Sequence, residues 1–219
     1  MVNINNYTKI IEACQVHNCQ LVAVSKMRTQ AQVLELYNQG QIVFGENRVA
    51  EVVEKAAALP KAIKWHFIGH LQRNKVKQVL PHLALIHSID SARLLNTVQK
   101  EAQKLNIKTK ILLQFHIAKE EAKYGFDPNK TDDLVKLLVE NSHPNTEICG
   151  VMGMATFTTD KVQIRSEFKK LKQVFDQLKQ SYFNGNSSFK EISMGMSSDY
   201  EIALEEGSTM VRVGSALFG

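Results

Sequence analysis

The sequence predicts an α/β protein, a closed (β/α)8 TIM barrel with one extra helix before its first strand. Three observations predict it. Short apolar runs rich in Val, Ile and Phe recur eight times along 219 residues. A longer stretch of helical periodicity separates almost every pair of them, which is what parallel strands require of their crossovers. No stretch reads as a linker, a low-complexity segment or a second domain, so residues 1–219 are expected to form one unit. A doubly wound open sheet is the competing architecture, but its usual count of about six strands fits less well.

Ile4, Tyr7, Ile10, Ile11 and Cys14 recur at helical spacing and give the leading helix. Strands are expected at 21–25, 42–44, 65–68, 83–88, 110–116, 148–152, 191–193 and 210–213. After the first strand Val33, Leu34 and Tyr37 share one helical stripe, and after the second Val49, Val52, Val53 and Ala56 do so. Leu94, Leu95, Val98 and Ala102 follow the fourth, and Leu134, Leu137 and Leu138 the fifth. Phe168, Leu171, Phe175, Leu178 and Tyr182 follow the sixth, and their spacing marks a buried stripe rather than a platform for stacking bases.

With 44% hydrophobic and 22% charged residues, the composition excludes disordered and fibrous classes. Twenty-seven basic against 22 acidic side chains leave a formal charge of +5. The basic runs at 73–77 and 169–172 read as solvated helix faces, so no nucleic-acid partner is expected, and a basic surface serves anionic small molecules equally well. Cys14, Cys19 and Cys149 make neither a zinc set nor a disulfide framework, which favours a reducing compartment. No apolar run approaches the roughly 20 residues that span a bilayer, and residues 1–6 lack the regions of a signal peptide. A soluble, cytoplasmic, monomeric protein with no membrane partner is the expectation.

A barrel of this kind builds its site from residues that follow the strands. Lys26 follows the first, Asn47 the second, Met194 to Asp199 the seventh, and Gly214-Ser215 the eighth, with Arg212 inside the eighth itself. A lysine emerging from a buried strand can present a neutral amine to an aldehyde, giving a Schiff base, although a lone lysine there is more often a snorkelling surface residue. Glycines followed by serines leave backbone N–H groups for a phosphate, although the same residues also make ordinary caps and turns. Arg212, between Val211 and Val213, must find an acceptor, either a structural carboxylate or a ligand. Together these groups suit pyridoxal 5′-phosphate, which needs an amine for its aldehyde, N–H groups for its phosphate and a partner for its ring nitrogen. An arginine as that partner disfavours protonation of the ring nitrogen and so weakens carbanion chemistry.

The segments Ala23-Val24-Ser25-Lys26, Phe44-Gly45-Glu46-Asn47, His66-Phe67-Ile68-Gly69 with Leu71-Gln72 and Asn74-Lys75, Ser193-Met194-Gly195-Met196-Ser197 with Asp199, and Glu206 to Gly214 resemble, in order and spacing, the pyridoxal phosphate homeostasis proteins. That family is similar to the N-terminal barrel domain of alanine racemase. The resemblance implies that Lys26 forms the internal aldimine and that Ser197, Gly214 and Ser215 hold the phosphate. It places Arg212 at the pyridine nitrogen, Asn47 near the aldimine and ring hydroxyl, and His66 either beside the ring or in the core. Met194 and Met196 border the cofactor or pack. Two departures stand out: Met27-Arg28-Thr29 after the lysine, and His116 where an asparagine is usual. The loop at 119–125 keeps a Lys-x-Gly feature of the family.

The resemblance further implies a role in vitamin B6 homeostasis, with the cofactor held reversibly and passed to apoenzymes. Alanine racemase has a second, β domain carrying a catalytic tyrosine. This chain ends soon after its eighth strand, with Tyr124 and Tyr200 as the remaining phenols, so binding without turnover is the expectation. A small PLP-dependent racemase or lyase is the alternative. A phosphate-binding isomerase is a third reading, but it lacks an acid/base pair at the strand ends.

Overall fold

The structure is a computed structural model that describes residues 2–120 and 124–219. Eight strands, β1 (Gln20–Val24), β2 (Val43–Glu46), β3 (Lys64–Phe67), β4 (Leu83–Ile89), β5 (Thr109–Phe115), β6 (Thr146–Gly153), β7 (Glu191–Ser193) and β8 (Met210–Val213), form a closed barrel in chain order. Every pairing is parallel, and β8 closes onto β1 through Leu21 opposite Val211 and Val22 opposite Arg212. The expected barrel is therefore present. Strand ends differ from expectation by one or two residues, most clearly at β2, where Ile42 is exposed and pairing runs on to Glu46.

Side chains along a strand alternate between its two faces, so each strand sends every second residue into the barrel and the others toward the helices. Val22, Val43, Leu85, Leu112, Cys149, Met152 and Met210 form a small apolar cluster of their own inside. Their neighbours, among them Ala23, Phe44, Trp65, Phe67, Ile86, Ile111, Leu113, Val151, Ile192 and Val211, join the larger core beneath the helices.

The crossovers carry α2 (Gln30–Asn38), α3 (Val49–Ala58), α4 (Val76–Val79), α5 (Ala92–Lys104), α6 (Thr131–Glu140), α7 (Lys161–Ser181) and α8 (Tyr200–Glu205); α1 (Ile4–Val16) precedes the barrel and α9 (Ser215–Phe218) ends it. Several begin where a side chain accepts from an otherwise unpaired backbone N–H: Thr29 with Gln32 makes a capping box for α2, Ser91 caps α5 and Asp160 caps α7. The Phe168, Leu171 and Leu178 stripe of α7 is fully buried. The basic run at 73–77 lies on a 3-10 turn and α4, with Arg73, Lys75 and Lys77 exposed. Cys14 and Cys149 are buried, Cys19 is half-buried, and all three are free thiols. No helix among the described residues is long and apolar enough to cross a membrane.

Gly150 shows how tightly β6 meets β7. Its φ is +154°, and a Cβ there would fall 2.6 Å from the carbonyl carbon of Glu191. Gly185 (φ +77°) has open space around it. Gly150→Ala is therefore expected to cost about 3 kcal/mol, combining backbone strain with overpacking. Gly185→Ala, which meets strain alone, should cost only about 1 kcal/mol. Equilibrium urea unfolding of both variants checks the difference, and equal losses would contradict the close approach.

Candidate functional site

The inward register continues past the strand ends. Lys26 stands two residues beyond Val24, Asn47 two beyond Gly45, and Gly214 two beyond Arg212. All six residues singled out in the sequence, Lys26, Asn47, Ser197, Arg212, Gly214 and Ser215, line one cavity of about 630 Å³ at the C-terminal end of the barrel. That volume suits a small-molecule ligand.

Lys26 is exposed into this cavity and has no hydrogen-bond partner among the described residues. What fixes it is the backbone on either side. The Lys55 ammonium, buried on α3, donates to the Ser25 carbonyl at 2.7 Å, to Glu46 Oε1 at 2.6 Å and to Glu51 Oε2 at 3.0 Å. Ser25 Oγ donates to the same Glu46 oxygen at 2.7 Å, and the Met27 N–H donates to Glu51 at 2.8 Å, with Met27 at φ +59°. Burial pushes the Glu46 carboxyl up from its ordinary value, with Lys55 and Ser25 acting the other way. Partial burial also pushes Glu51 up, but the Met27 N–H and Lys55 outweigh it and hold that carboxyl below the usual range.

Asn47 Oδ1 is buried and accepts no hydrogen bond among the described residues. Its backbone is pressed against Gly69, where a Cβ would lie 2.7 Å from the Asn47 Cα. On the opposite wall, the turn after β7 meets the turn after β8 through a hydrogen bond from the Gly214 N–H to Ser197 Oγ at 3.2 Å. The backbone N–H groups of Ser197, Ser198, Ser215 and Ala216 have no partner among the described residues. Of these, Ser197, Ser198 and Ser215 line the cavity, and unpaired backbone donors of successive residues can hold an anion.

Arg212 is buried in the cavity wall, donating from Nη1 to Ser193 Oγ at 2.5 Å and from Nη2 to the Gly153 carbonyl at 3.0 Å. Its acceptors are thus neutral groups of the barrel rather than a structural carboxylate. Burial lowers its pKa to about 10, with Asp199 pulling it back up, so it stays cationic at neutral pH. His66 lies in the barrel interior on His87 rather than in the cavity. Met196 lines the cavity, whereas Met194 is core. His116 turns to the Glu120 carbonyl and does not line the cavity. Tyr200 is buried against Glu201, so of the two candidate phenols Tyr124 alone reaches the site. Of the loop at 119–125, residues 121–123 lie outside the described residues.

The sequence singles out Tyr124 as a phenol but carries no sign of its surroundings at the cavity mouth. Tyr124 stacks on His70, ring centroids 4.1 Å apart, and Gln114 Nε2 holds the Tyr124 carbonyl at 2.8 Å. Tyr124 is 59% and Phe157 87% exposed, so both form an aromatic rim at the mouth.

The family profile described as "Alanine racemase, N-terminal domain" matches residues 4–219, and the chain belongs to that family. Within it, the chain is 39% identical to a pyridoxal phosphate homeostasis protein of Aquifex aeolicus, over 92% of this chain and 87% of that one. It is 37% identical to the Homo sapiens protein of the same name, over 91% and 76%. Among solved structures it is similar to PipY of Synechococcus elongatus PCC7942, 34% identical over 92% of this chain and 93% of that one. The TM-score is 0.85 for the form without PLP and 0.81 for the form with PLP bound. An alanine racemase of Clostridium difficile 630, 15% identical with a TM-score of 0.73, shares the fold, this chain covering 56% of its length.

Lys55→Met is expected to destabilise by about 3–5 kcal/mol, because it strands the buried Glu46 charge. Adding Glu46→Gln should recover part of that loss, which paired unfolding curves measure. A second expectation concerns acid. His66 is held down to about 3 by burial and by the nearby Lys64, and His87, also buried, well below its ordinary value. The unfolded chain thus binds protons near pH 6.5 that the fold refuses, and stability should fall steadily as pH drops through 6.5 toward 3. Urea midpoints between pH 7 and pH 4 check this, and a flat profile would contradict the neutral, buried pair.

Proposed function

We propose that residues 1–219 act as one pyridoxal 5′-phosphate-binding unit in vitamin B6 homeostasis, holding the cofactor reversibly without turnover of their own. One observation carries this reading. An unpartnered lysine amine, an orphaned amide oxygen at Asn47 and three residues with unpaired backbone N–H groups, Ser197, Ser198 and Ser215, line a single cavity that also holds a buried arginine. The relatives named for pyridoxal phosphate homeostasis and the PLP-bound PipY support it.

When bound, the cofactor supplies an aldehyde that adds amines reversibly, a phosphate dianion and a basic ring nitrogen. Lys26 is the amine and the point of covalent attachment, its turn clamped by Lys55 and Glu51. The Ser197 hydroxyl accepts from Gly214 and so keeps its own proton for the phosphate, beside the free N–H groups of Ser197 and Ser215. Asn47 Oδ1 would accept a hydrogen bond from the reacting end of the ligand. Arg212 faces the ring nitrogen as a cation and keeps it unprotonated, which weakens the electron sink that carbanion chemistry needs. The exposed Tyr124 and Phe157 at the mouth leave bound cofactor a route for exchange, which is what passing it to apoenzymes would require.

The alternative, a small PLP-dependent racemase or lyase, is favoured by one feature: the Tyr124 phenol shares the cavity with Lys26. One experiment separates the two readings. Protein titrated with pyridoxal 5′-phosphate, reduced with borohydride and digested should carry the pyridoxyl group on Lys26, and Lys26→Ala should lose the visible absorbance. The same loaded protein should leave L-alanine unracemised over hours. A label spread over surface lysines sinks the site assignment, and steady amino-acid turnover abolished by Tyr124→Phe would establish the enzyme instead.

A further inference from the structure

The barrel interior beneath the cavity holds two histidines that the binding site itself does not use. His66 on β3 and His87 on β4 are 4% and 0% exposed. His66 Nδ1 lies 2.9 Å from His87 Nε2, and His87 Nδ1 lies 2.9 Å from Ser193 Oγ, the oxygen that accepts from Arg212. The line runs the length of the barrel. At its far end His66 borders a second cavity of about 600 Å³, with Lys64, Lys110, Lys190, Glu147 and Glu191 around it.

The direction of every proton in this line follows from what each group is able to do. A guanidinium only donates, so Ser193 Oγ accepts from Arg212. The hydroxyl has one proton of its own, and in this buried place His87 Nδ1 is the only remaining neighbour within hydrogen-bond distance among the described residues. Were Nδ1 protonated, the oxygen would sit between two donors and its own proton would have no acceptor, an arrangement that burial makes costly. His87 therefore accepts at Nδ1. Burial and the neighbouring His66 and Arg212 keep its ring neutral, so its single proton is on Nε2 and points to His66 Nδ1. By the same logic His66, beside Lys64, carries its proton on Nε2. Each lone pair faces toward Arg212 and each proton faces away. Two imidazole dipoles and a hydroxyl thus sit in series behind a guanidinium, stabilising its charge through groups that bear none.

We propose that His66, His87 and Ser193 form a directional hydrogen-bond chain that fixes the Arg212 guanidinium in the cavity wall, making His87 and Ser193 positioning residues for the ligand group that Arg212 meets. The last link rests on the binding function proposed above; the direction of the chain does not.

Two measurements test it. In ¹⁵N-labelled, cofactor-free protein, imidazole ¹H–¹⁵N correlation spectra should give both rings as neutral Nε2–H tautomers, with no titration between pH 5 and pH 8. A proton on Nδ1 of His87, or a titrating His87, overturns the chain. The second measurement titrates pyridoxal 5′-phosphate, followed by absorbance, into wild type, Ser193→Ala and Ser193→Thr. Loss of the hydroxyl should weaken binding about 10- to 100-fold, the range for a hydrogen bond to a charged group, and threonine should restore it. Unchanged affinity in a Ser193→Ala protein with native circular dichroism overturns the positioning role. If wild type takes up no pyridoxal 5′-phosphate, the binding function falls, and the tautomer spectra still decide the chain.

Discussion

Closure of the barrel with a two-residue side-chain period is the constraint from which the site follows. Once β8 pairs with β1, each strand has a fixed inside, and a residue two positions past an inward one is carried to the mouth. Lys26, Asn47 and Gly214 obey that count on three different strands. Arg212 obeys it one layer lower, inside β8 itself. No loop has to search for these positions, because the ladder register of eight strands sets them.

The constraint places side chains but does not neutralise them, and the interior deals with charge in two ways. Behind Lys26 it uses ions: a buried ammonium shared among Glu46, Glu51 and a backbone carbonyl. Behind Arg212 it uses dipoles, with neutral histidines and a serine in line. The choice has a chemical logic. A carboxylate bonded to Arg212 would offset the positive potential that the guanidinium projects into the cavity, whereas dipoles stabilise the cation and leave its formal charge in place. Near Lys26 the ion pair serves the backbone, leaving the Lys26 amine outside the network.

Much of this was legible in the sequence because it rests on local pattern. The eight apolar runs and the long amphipathic helices state the barrel through period alone. The six lining residues follow from looking where the runs end. Elements of one or two turns, α4, α8 and α9, are too short to display a period, so their places read only as gaps between strands. The clamp under Lys26 was hidden for a different reason. Lys55 lies 29 residues from Lys26 and falls on an exposed-looking helix, and nothing short of the fold shows its ammonium turning inward between Glu46 and Ser25. His66 was visible as a histidine in a core strand, but its partner His87 comes from the next strand, and only barrel closure brings Ser193 to meet them. Tyr124, His70 and Phe157 gather from three separate loops, whose lengths carry no register.

The isolation of Lys26 from its surroundings has an evolutionary meaning. Because its amine has no hydrogen-bond or ion-pair partner among the described residues and its turn is held by Ser25, Glu51 and Lys55, the bonds that fix this turn do not depend on which side chain occupies position 26. The bonds that hold the turn and the side chain that enters the cavity are then encoded by separate residues. A lineage with this architecture is free to exchange the side chain at position 26 without passing through an unfolded ancestor.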